Sequence, residues 1–155
     1  MSMYSEYLNP YVKARLDKGI SQEALAELTD VSVESIRAYE SGVRIPKDKT
    51  VEKMAIACEA DWLPIQHLLS NELAEKYLPK PKIGSPLPQA ACGLFSELER
   101  ARSLTPKLME IGSSGELCVD DAEEFNKLMQ SLFSLAGAVL TLRYCDMLSV
   151  VKSSA

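Results

Sequence analysis

Few side chains in this sequence have the types and the spacing that catalysis or metal binding requires. His67 is the only histidine, and it lies in a helical pattern between Gln66 and Leu68, where the adjacent sequence offers no nucleophile or carboxylate to support catalysis. The four cysteines, at positions 58, 92, 118 and 145, are far apart and form no CxxC or Cys/His ligand spacing. We therefore expect buried thiols in a reducing compartment, and no catalytic residue, metal site or cofactor.

The overall composition is that of a globular protein and gives no general sign of nucleic-acid binding. Apolar residues make up 46% of the 155 residues, charged residues 25%, and the formal net charge is -5. A role in binding nucleic acid would therefore depend on a local cluster of charged side chains. The start of the chain has no basic stretch followed by an apolar one, and the longest apolar run, residues 132–142, is too short to span a bilayer. We expect a cytoplasmic protein without a membrane partner.

A proline-rich segment, PKPKIGSPLP at residues 79–88, divides the sequence into two parts. Its four prolines and Gly84 exclude a continuous helix and favour an extended linker. Residues 1–78 form the predicted N-terminal domain and residues 89–155 the predicted C-terminal region. Neither part shows the alternation typical of strands, so the predicted fold class is all-α.

Five short helices are predicted in the N-terminal domain. Gly19 ends the first of them, Ser21 and Ser32 are suitable N-caps for the second and third, and Gly42 is placed to end the third. Two further helices are predicted over residues 49–58 and 62–70. A helix from Ser21, a corner at residues 29–31 and a second helix from Ser32 have the geometry of a helix-turn-helix.

A longer pattern makes this assignment specific. The run RLDKGISQEALAELTDVSVESIRAYESGVRIPKDKTVEKMAIACEAD contains three segments, R…GxSQExLA, VSxxxIxxYExGxRxP and TxxKxAxA, in order and at fixed distances. In these segments the chain resembles the phage-repressor-like (XRE, Cro/C1-type) DNA-binding domain over about residues 8–70. The sequence departs from the family pattern at Asp30, where the family usually has glycine. Aspartate tolerates the left-handed backbone conformation better than most residues, so the turn is retained.

The resemblance implies a DNA interface on the third helix, residues 32–41, placed in the major groove of double-stranded DNA. Arg37 is the best candidate for bonding guanine, because its planar guanidinium donates to two acceptors at once. The implied base contacts are Ser32, Val33, Glu34, Arg37 and Ala38. The implied phosphate contacts are Ser21, Gln22, Arg44, Lys47 and Lys49.

The acidic residues of the N-terminal domain need a separate explanation. The resemblance implies that Glu40 pairs with Arg15 and thereby holds the first helix to the third. Glu34 has no such partner, and residues 1–78 contain nine Lys and Arg against thirteen Asp and Glu. We therefore expect weak non-specific affinity for DNA, with specific binding dependent on dimerisation and a few base contacts.

The C-terminal region is predicted to hold a helix over about residues 88–103, a short one from Pro106, and a long final helix from about residue 120. The final helix carries a broad apolar stripe, which packs either within one chain or against a second copy of the chain. We favour the second copy, so residues 89–155 are predicted to be a dimerisation or sensor region. The residues predicted for dimerisation are Phe125, Leu128, Leu132, Ala136 and Val139.

These observations predict a sequence-specific transcriptional regulator, a dimeric repressor without enzymatic activity. One alternative is an interaction protein on the same scaffold, such as an antirepressor; another is an antitoxin-like regulator that binds both DNA and a protein partner. The sequence does not indicate the operator, the regulated genes or an effector.

Overall fold

The computed structural model describes residues 9–114 and 122–146, and within these ranges all regular elements are α-helices. The all-α fold predicted from the sequence is confirmed. The chain divides into two compact units, Met1–Ala74 and Glu75–Ala155. The helices are α1 (Pro10–Lys18), α2 (Gln22–Thr29), α3 (Val33–Glu40), α4 (Asp48–Cys58), α5 (Leu63–Leu69), α6 (Glu72–Tyr77), α7 (Leu87–Ser114) and α8 (Ala122–Arg143).

The first helices begin where their sequences supply a capping side chain. The side chains of Asn9, Ser21 and Ser32 accept hydrogen bonds from backbone N–H groups in the first turns of α1, α2 and α3. Gly19 ends α1 in the left-handed conformation, with φ 72°. These caps satisfy donors and acceptors that a helix cannot pair within itself, and they fix the helix boundaries to within a residue.

The corner between α2 and α3 is built on Asp30, which adopts the left-handed conformation with φ 58° and ψ 46°. The Nζ of Lys53 on α4 donates to the carbonyl of Thr29 at 3.0 Å and lies 3.9 Å from the Asp30 carboxylate. Lys53 therefore supplies a positive charge at the C-terminal end of α2, where the helix dipole is negative. The turn is thus retained without the usual glycine.

Each of the first five helices contributes a fully buried side chain to one core. Ala14, Leu25, Ile36, Met54 and Leu63 come from α1 to α5 in that order, and each is 0% exposed. Packing of α2 and α3 on this core fixes their relative orientation, which leaves the remaining surface of α3 exposed to solvent. The short helix α6 has no buried residue and follows this core.

The second unit contains the two longest helices, which lie antiparallel. Pro86, just before α7, forms a bridge with Asp146, just after α8, while Lys107 in α7 and Glu124 in α8 form an ion pair of 3.0 Å. The start of α7 therefore lies beside the end of α8.

The structure differs from the predicted helices of this unit in two respects. Residues 88–103 and the segment from Pro106 form one helix of 28 residues, so α7 rather than the final helix is the longest. Pro106 is exposed and lies inside α7, although proline has no N–H to pair with the carbonyl one turn before it. The final helix ends at Arg143, where the chain turns at Tyr144.

Residues 80–86 lie against α8 and the residues that follow it. The backbone N–H of Lys82 donates to the Thr141 hydroxyl, and that of Gly84 donates to the Tyr144 carbonyl, both at 2.9 Å. Gly137 permits this approach, because a Cβ at this position would lie 3.2 Å from the carbonyl oxygen of Lys80. The predicted linker thus contributes hydrogen bonds to the second unit.

Candidate nucleic-acid interface

The exposed surface of α3 carries most of the residues predicted to contact bases. Ser32, Glu34 and Arg37 are exposed, whereas Val33 and Ala38 are half-buried. Val33 packs against the core of the first unit. Ser32 also caps α3 through its hydroxyl, which accepts from the Ser35 N–H at 3.2 Å. Glu34 and Arg37 are therefore the charged groups that α3 presents to solvent from this set.

Arg37 is held to the first turn of α2. Its Nε donates to the side-chain oxygen of Gln22 at 3.3 Å, and its Nη2 lies 3.4 Å from the Glu23 carboxylate. Arg37 and Glu23 are 58% and 63% exposed, so solvent weakens this ion pair. A guanidinium held weakly in this way can exchange the carboxylate for another acceptor at low cost.

Arg15 and Glu40 form a two-pronged ion pair between α1 and α3. The Nε and Nη2 of Arg15 donate to the two carboxylate oxygens of Glu40 at 2.5 and 2.9 Å, and the side chains are only 12% and 5% exposed. The hydrogen bond with Glu40 raises the pKa of the Arg15 guanidinium. Glu40 is therefore turned inward, and its charge is compensated within the domain rather than presented to DNA.

Gln22 connects this buried pair to the exposed Arg37. Its amide NH2 donates to Glu40 at 2.8 Å, which leaves the amide oxygen to accept from Arg37. The sequence-based prediction gave Gln22 a phosphate contact and assigned no role to Glu23. These contacts join residues 14 to 18 positions apart through the corner at Asp30, so no local spacing in the sequence indicates them.

The N terminus of α2, a predicted phosphate site, already lies close to a carboxylate. The Ser21 hydroxyl accepts from the Ala24 N–H at 3.1 Å. Hydrogen bonds from the Glu23 backbone N–H and from Ser21, together with the charge of Arg37, lower the pKa of the Glu23 carboxyl. This negative charge lies at the position where a phosphate would bind a helix N terminus.

Three cations that follow α3 are available to solvent. Arg44, Lys47 and Lys49 are exposed and form no ion pair with any residue in the described ranges. They lie in the loop after α3 and in the first turn of α4. Exposed cations without an intramolecular partner are suited to phosphate contacts, because no internal ion pair has to be broken.

His67 holds three helices together. Its Nδ1 is 2.6 Å from the Tyr11 hydroxyl, and its Nε2 is 3.3 Å from the Asp48 carboxylate. With neutral imidazole, Tyr11 donates to Nδ1 and the Nε2–H donates to Asp48. Burial raises the pKa of Tyr11. Because Asp48 lies between Lys47 and Lys49, this arrangement fixes the backbone that carries both lysines.

The residues predicted for dimerisation differ in their surroundings. Leu128 is 2% exposed and packs inside the second unit, and Phe125 and Leu132 are half-buried. Ala136 and Val139 are exposed. The inward residues are therefore covered within one chain, while the outward ones are open to a partner.

The cysteines agree only in part with the expectation of buried thiols. Cys58 is buried, and burial raises the pKa of its thiol, whereas Cys92 is exposed and Cys145 is half-buried. Cys118 lies outside the described residues. All three described cysteines are free.

Neither a cluster of metal-ligand side chains nor a membrane-spanning helix is found among the described residues. Within residues 9–114 and 122–146, no group of three or more His, Cys, Asp and Glu side chains is placed to hold a metal ion. None of the described helices combines the length and the apolar character that crossing a membrane demands.

Comparison with known protein families assigns the first unit. The family model described as Helix-turn-helix matches residues 13–62, which contain α2, α3 and α4. A search of curated proteins and a search of solved structures each found no match. The resemblance drawn from the three sequence segments is confirmed over this range. The N-terminal domain of the chain is a helix-turn-helix domain of the phage-repressor-like (XRE) kind, a family of DNA-binding regulators.

Proposed function

We propose that the protein is a sequence-specific DNA-binding transcriptional regulator, a dimeric repressor that inserts α3 into the major groove. The observation that carries the proposal is the exposed Arg37 on α3, held only by weak contacts to Gln22 and Glu23. Guanine offers two acceptors, O6 and N7, in the geometry that a guanidinium matches. In this proposal Arg37 exchanges the Glu23 carboxylate for guanine on binding.

The remaining contacts divide into base and phosphate contacts. Ser32 and Glu34 face the same groove, and Val33 and Ala38 contribute apolar contacts close to the backbone. Arg44, Lys47 and Lys49 bind phosphates beside the groove, and the exposure of these three cations and their lack of acidic partners among the described residues support this division. Phosphate contacts by Ser21 and Gln22 are the less favoured part of the proposal, because Gln22 already donates to Glu40 and the Glu23 carboxylate lies beside Ser21.

Dimerisation through the second unit supplies the affinity that one domain lacks. The first part of the chain, residues 1–78, has a net charge of -4, so phosphate neutralisation is limited. Two linked domains binding adjacent half-sites compensate for weak single contacts. A protein held on a promoter in this way acts as a repressor by occluding it, and no catalytic step is required.

A second candidate function is supported by the acidic groups beside Arg37. Glu34 is exposed on α3, and Glu23 partly neutralises the charge of Arg37. These acids would suit a basic protein surface, as in an antirepressor or an antitoxin-like partner binder. In that case α3 contacts protein, and changes at Arg37 leave DNA affinity unaltered.

The test is the DNA affinity of Arg37→Ala, measured by fluorescence anisotropy at several salt concentrations on a site recovered by selection. We expect a loss of about tenfold to a hundredfold, because a paired arginine–guanine contact contributes about 1–3 kcal/mol. Discrimination against a changed guanine should fall together with affinity.

The matched control is Arg100→Ala. Arg100 is 59% exposed and lies 3.3 Å from Glu97, so it resembles Arg37 in exposure and pairing but is placed on α7. Its loss should leave DNA affinity within a factor of two. Equal affinities for the two variants and the unmodified protein would contradict the role of Arg37 and favour the protein-binding candidate.

A further inference from the structure

We infer that the second unit is half of a four-helix bundle, completed by the same face of a second copy of the chain. The face, which we call the apolar face, consists of Phe95, Leu98 and Met109 on α7 and Met129, Phe133 and Ala136 on α8. All six are exposed in the single chain. The inference rests on the dimer of the proposed function and identifies the surface that forms it.

The two helices first pack on each other through an inner stripe. On α7 the less exposed residues include Ala90, Leu94, Glu97, Ala101 and Leu104, at a spacing of three and four residues. On α8 they include Phe125, Leu128, Leu132 and Leu135. This repeat is that of helices packed along their length. The inner stripes explain how each chain closes its own hairpin.

The apolar face is displaced from the inner stripe by one residue. Phe95 and Leu98 directly follow Leu94 and Glu97, while Met129 and Phe133 directly follow Leu128 and Leu132. Successive residues of an α-helix are rotated by about 100°. On each helix, viewed along its own chain direction, the exposed stripe therefore lies about 100° round the helix axis from the inner stripe, in the same direction of rotation.

Because α7 and α8 are antiparallel, equal rotations bring both stripes to one side of the hairpin. The pairings of Pro86 with Asp146 and of Lys107 with Glu124 also fix how far each residue lies along the pair. This register places Leu98 level with Phe133 and Phe95 level with Ala136. The exposed apolar side chains thus form one continuous surface rather than two separate stripes.

Another side of the hairpin carries a cleft with a volume of about 550 Å3. Its lining combines small residues, such as Ala90, Gly93 and Gly137, with polar ones, such as Ser96, Ser134 and Thr141. Residues 80–86 lie against this side and hydrogen-bond to Thr141. The segment that covers one side of the hairpin therefore leaves the apolar face open.

A single hairpin buries few apolar side chains and leaves large ones exposed. Among the described residues of the second unit, Ala90 and Leu128 are the buried apolar side chains, against twelve in the first unit. Phe95, Leu98 and Phe133 remain 66%, 48% and 47% exposed. Two helices form a stable domain when their open side is covered by further helices.

The size and charge of the face fit a second copy. A strip two helices wide along the 22 residues of α8 has a projected area of roughly 600 Å2. A standard interface takes about 800 Å2 from each partner, so this side of the hairpin is of the size that a dimer interface requires. Arg102, which lies in line with the α7 stripe, is 3.8 Å from Glu99. A face without a strong net charge can pack against the same face of a second copy across a two-fold axis, because no like charges are brought together.

The test is sedimentation velocity of the full chain between 0.5 and 100 µM (about the range that resolves a micromolar equilibrium). The unmodified chain should sediment as a dimer of 17.1 kDa subunits. Phe133→Asp on α8 and Phe95→Asp on α7 should each weaken dimerisation at least about tenfold, because a carboxylate would be buried in an apolar contact. The matched control is Ser134→Asp, which places the same charge one residue further along α8, in the lining of the cleft.

A second measurement needs no variant and does not depend on the variants folding. On dilution of the unmodified chain, hydrogen exchange in α7 and α8 should accelerate, while exchange in α1 to α5 stays constant. A helical monomer at 100 µM would overturn the inference, and so would a dimer that Ser134→Asp weakens as much as Phe133→Asp does. A monomer that still binds a specific DNA site would refute the bundle alone, whereas a dimer without DNA affinity would refute the proposed function alone.

Discussion

At the scale of single residues, Glu40 links three helices of the DNA-binding domain, because it lies on α3 and bonds to Arg15 on α1 and Gln22 on α2. It accepts from Arg15 with both oxygens and from Gln22 with one of them, and it is almost completely buried. Its removal would leave the Arg15 guanidinium without its counter-charge in a site from which water is largely excluded. The charge of Glu40 therefore serves the stability of the fold.

We predict that Glu40→Ala lowers the free energy of unfolding by about 3 kcal/mol, as expected for one partner lost from a buried ion pair. Urea unfolding followed by circular dichroism measures this quantity. The control is Asp17→Ala, which breaks the exposed pair with Lys13 on α1 and should cost less than about 1 kcal/mol. Equal losses for the two variants would show that the Arg15–Glu40 pair does not stabilise the fold.

One contact that the family pattern implied is visible in the structure. The pairing of Arg15 with Glu40 follows from the resemblance and is present in the structure. The contacts of Arg37 with Gln22 and Glu23 could not be predicted, because they depend on the angle between α2 and α3. That angle is set by core packing and by Asp30, neither of which a local spacing describes.

At the scale of elements, helix starts were predictable and helix continuity was not. Ser21 and Ser32 cap α2 and α3 as expected, because a hydroxyl before an apolar repeat is a local signal. Pro106 indicated a break, because an interior proline removes a hydrogen bond and clashes with the carbonyl one turn before it. In the structure α7 nevertheless continues through Pro106. The contacts of residues 80–86 with α8 are likewise long-range and were not indicated.

Two glycines in these helices provide a direct test of the packing of residues 80–86. Gly93→Ala on α7 should raise the free energy of unfolding by about 1 kcal/mol, because alanine is the better helix former and nothing lies within 4 Å of the new Cβ. Gly137→Ala should lose this gain, since its Cβ would lie 3.2 Å from the Lys80 carbonyl oxygen.

The stabilities of the two variants are compared by thermal unfolding at one fixed protein concentration. The concentration is fixed because the stability of the proposed dimer would depend on it. A larger gain for Gly137→Ala than for Gly93→Ala would mean that residues 80–86 do not lie against α8 in solution.

At the scale of the whole molecule, the two units differ in how much of their apolar surface they bury. The first unit has its own core and presents α3, while the second has two long helices with few buried side chains. An acidic DNA-binding domain is only weakly attracted to the DNA phosphates. We therefore expect specific binding to require a symmetric pair of domains on two half-sites. Two-fold symmetry in the protein would then be matched by two-fold symmetry in the operator.

The most direct test of this account is selection of the purified full chain against a random pool of duplex DNA at low salt, followed by sequencing. We predict enrichment of a two-fold symmetric site whose half-sites are about one helical turn, roughly 34 Å, apart. Folded protein that enriches no sequence would contradict DNA recognition by α3, and a single asymmetric site would contradict the symmetric dimer.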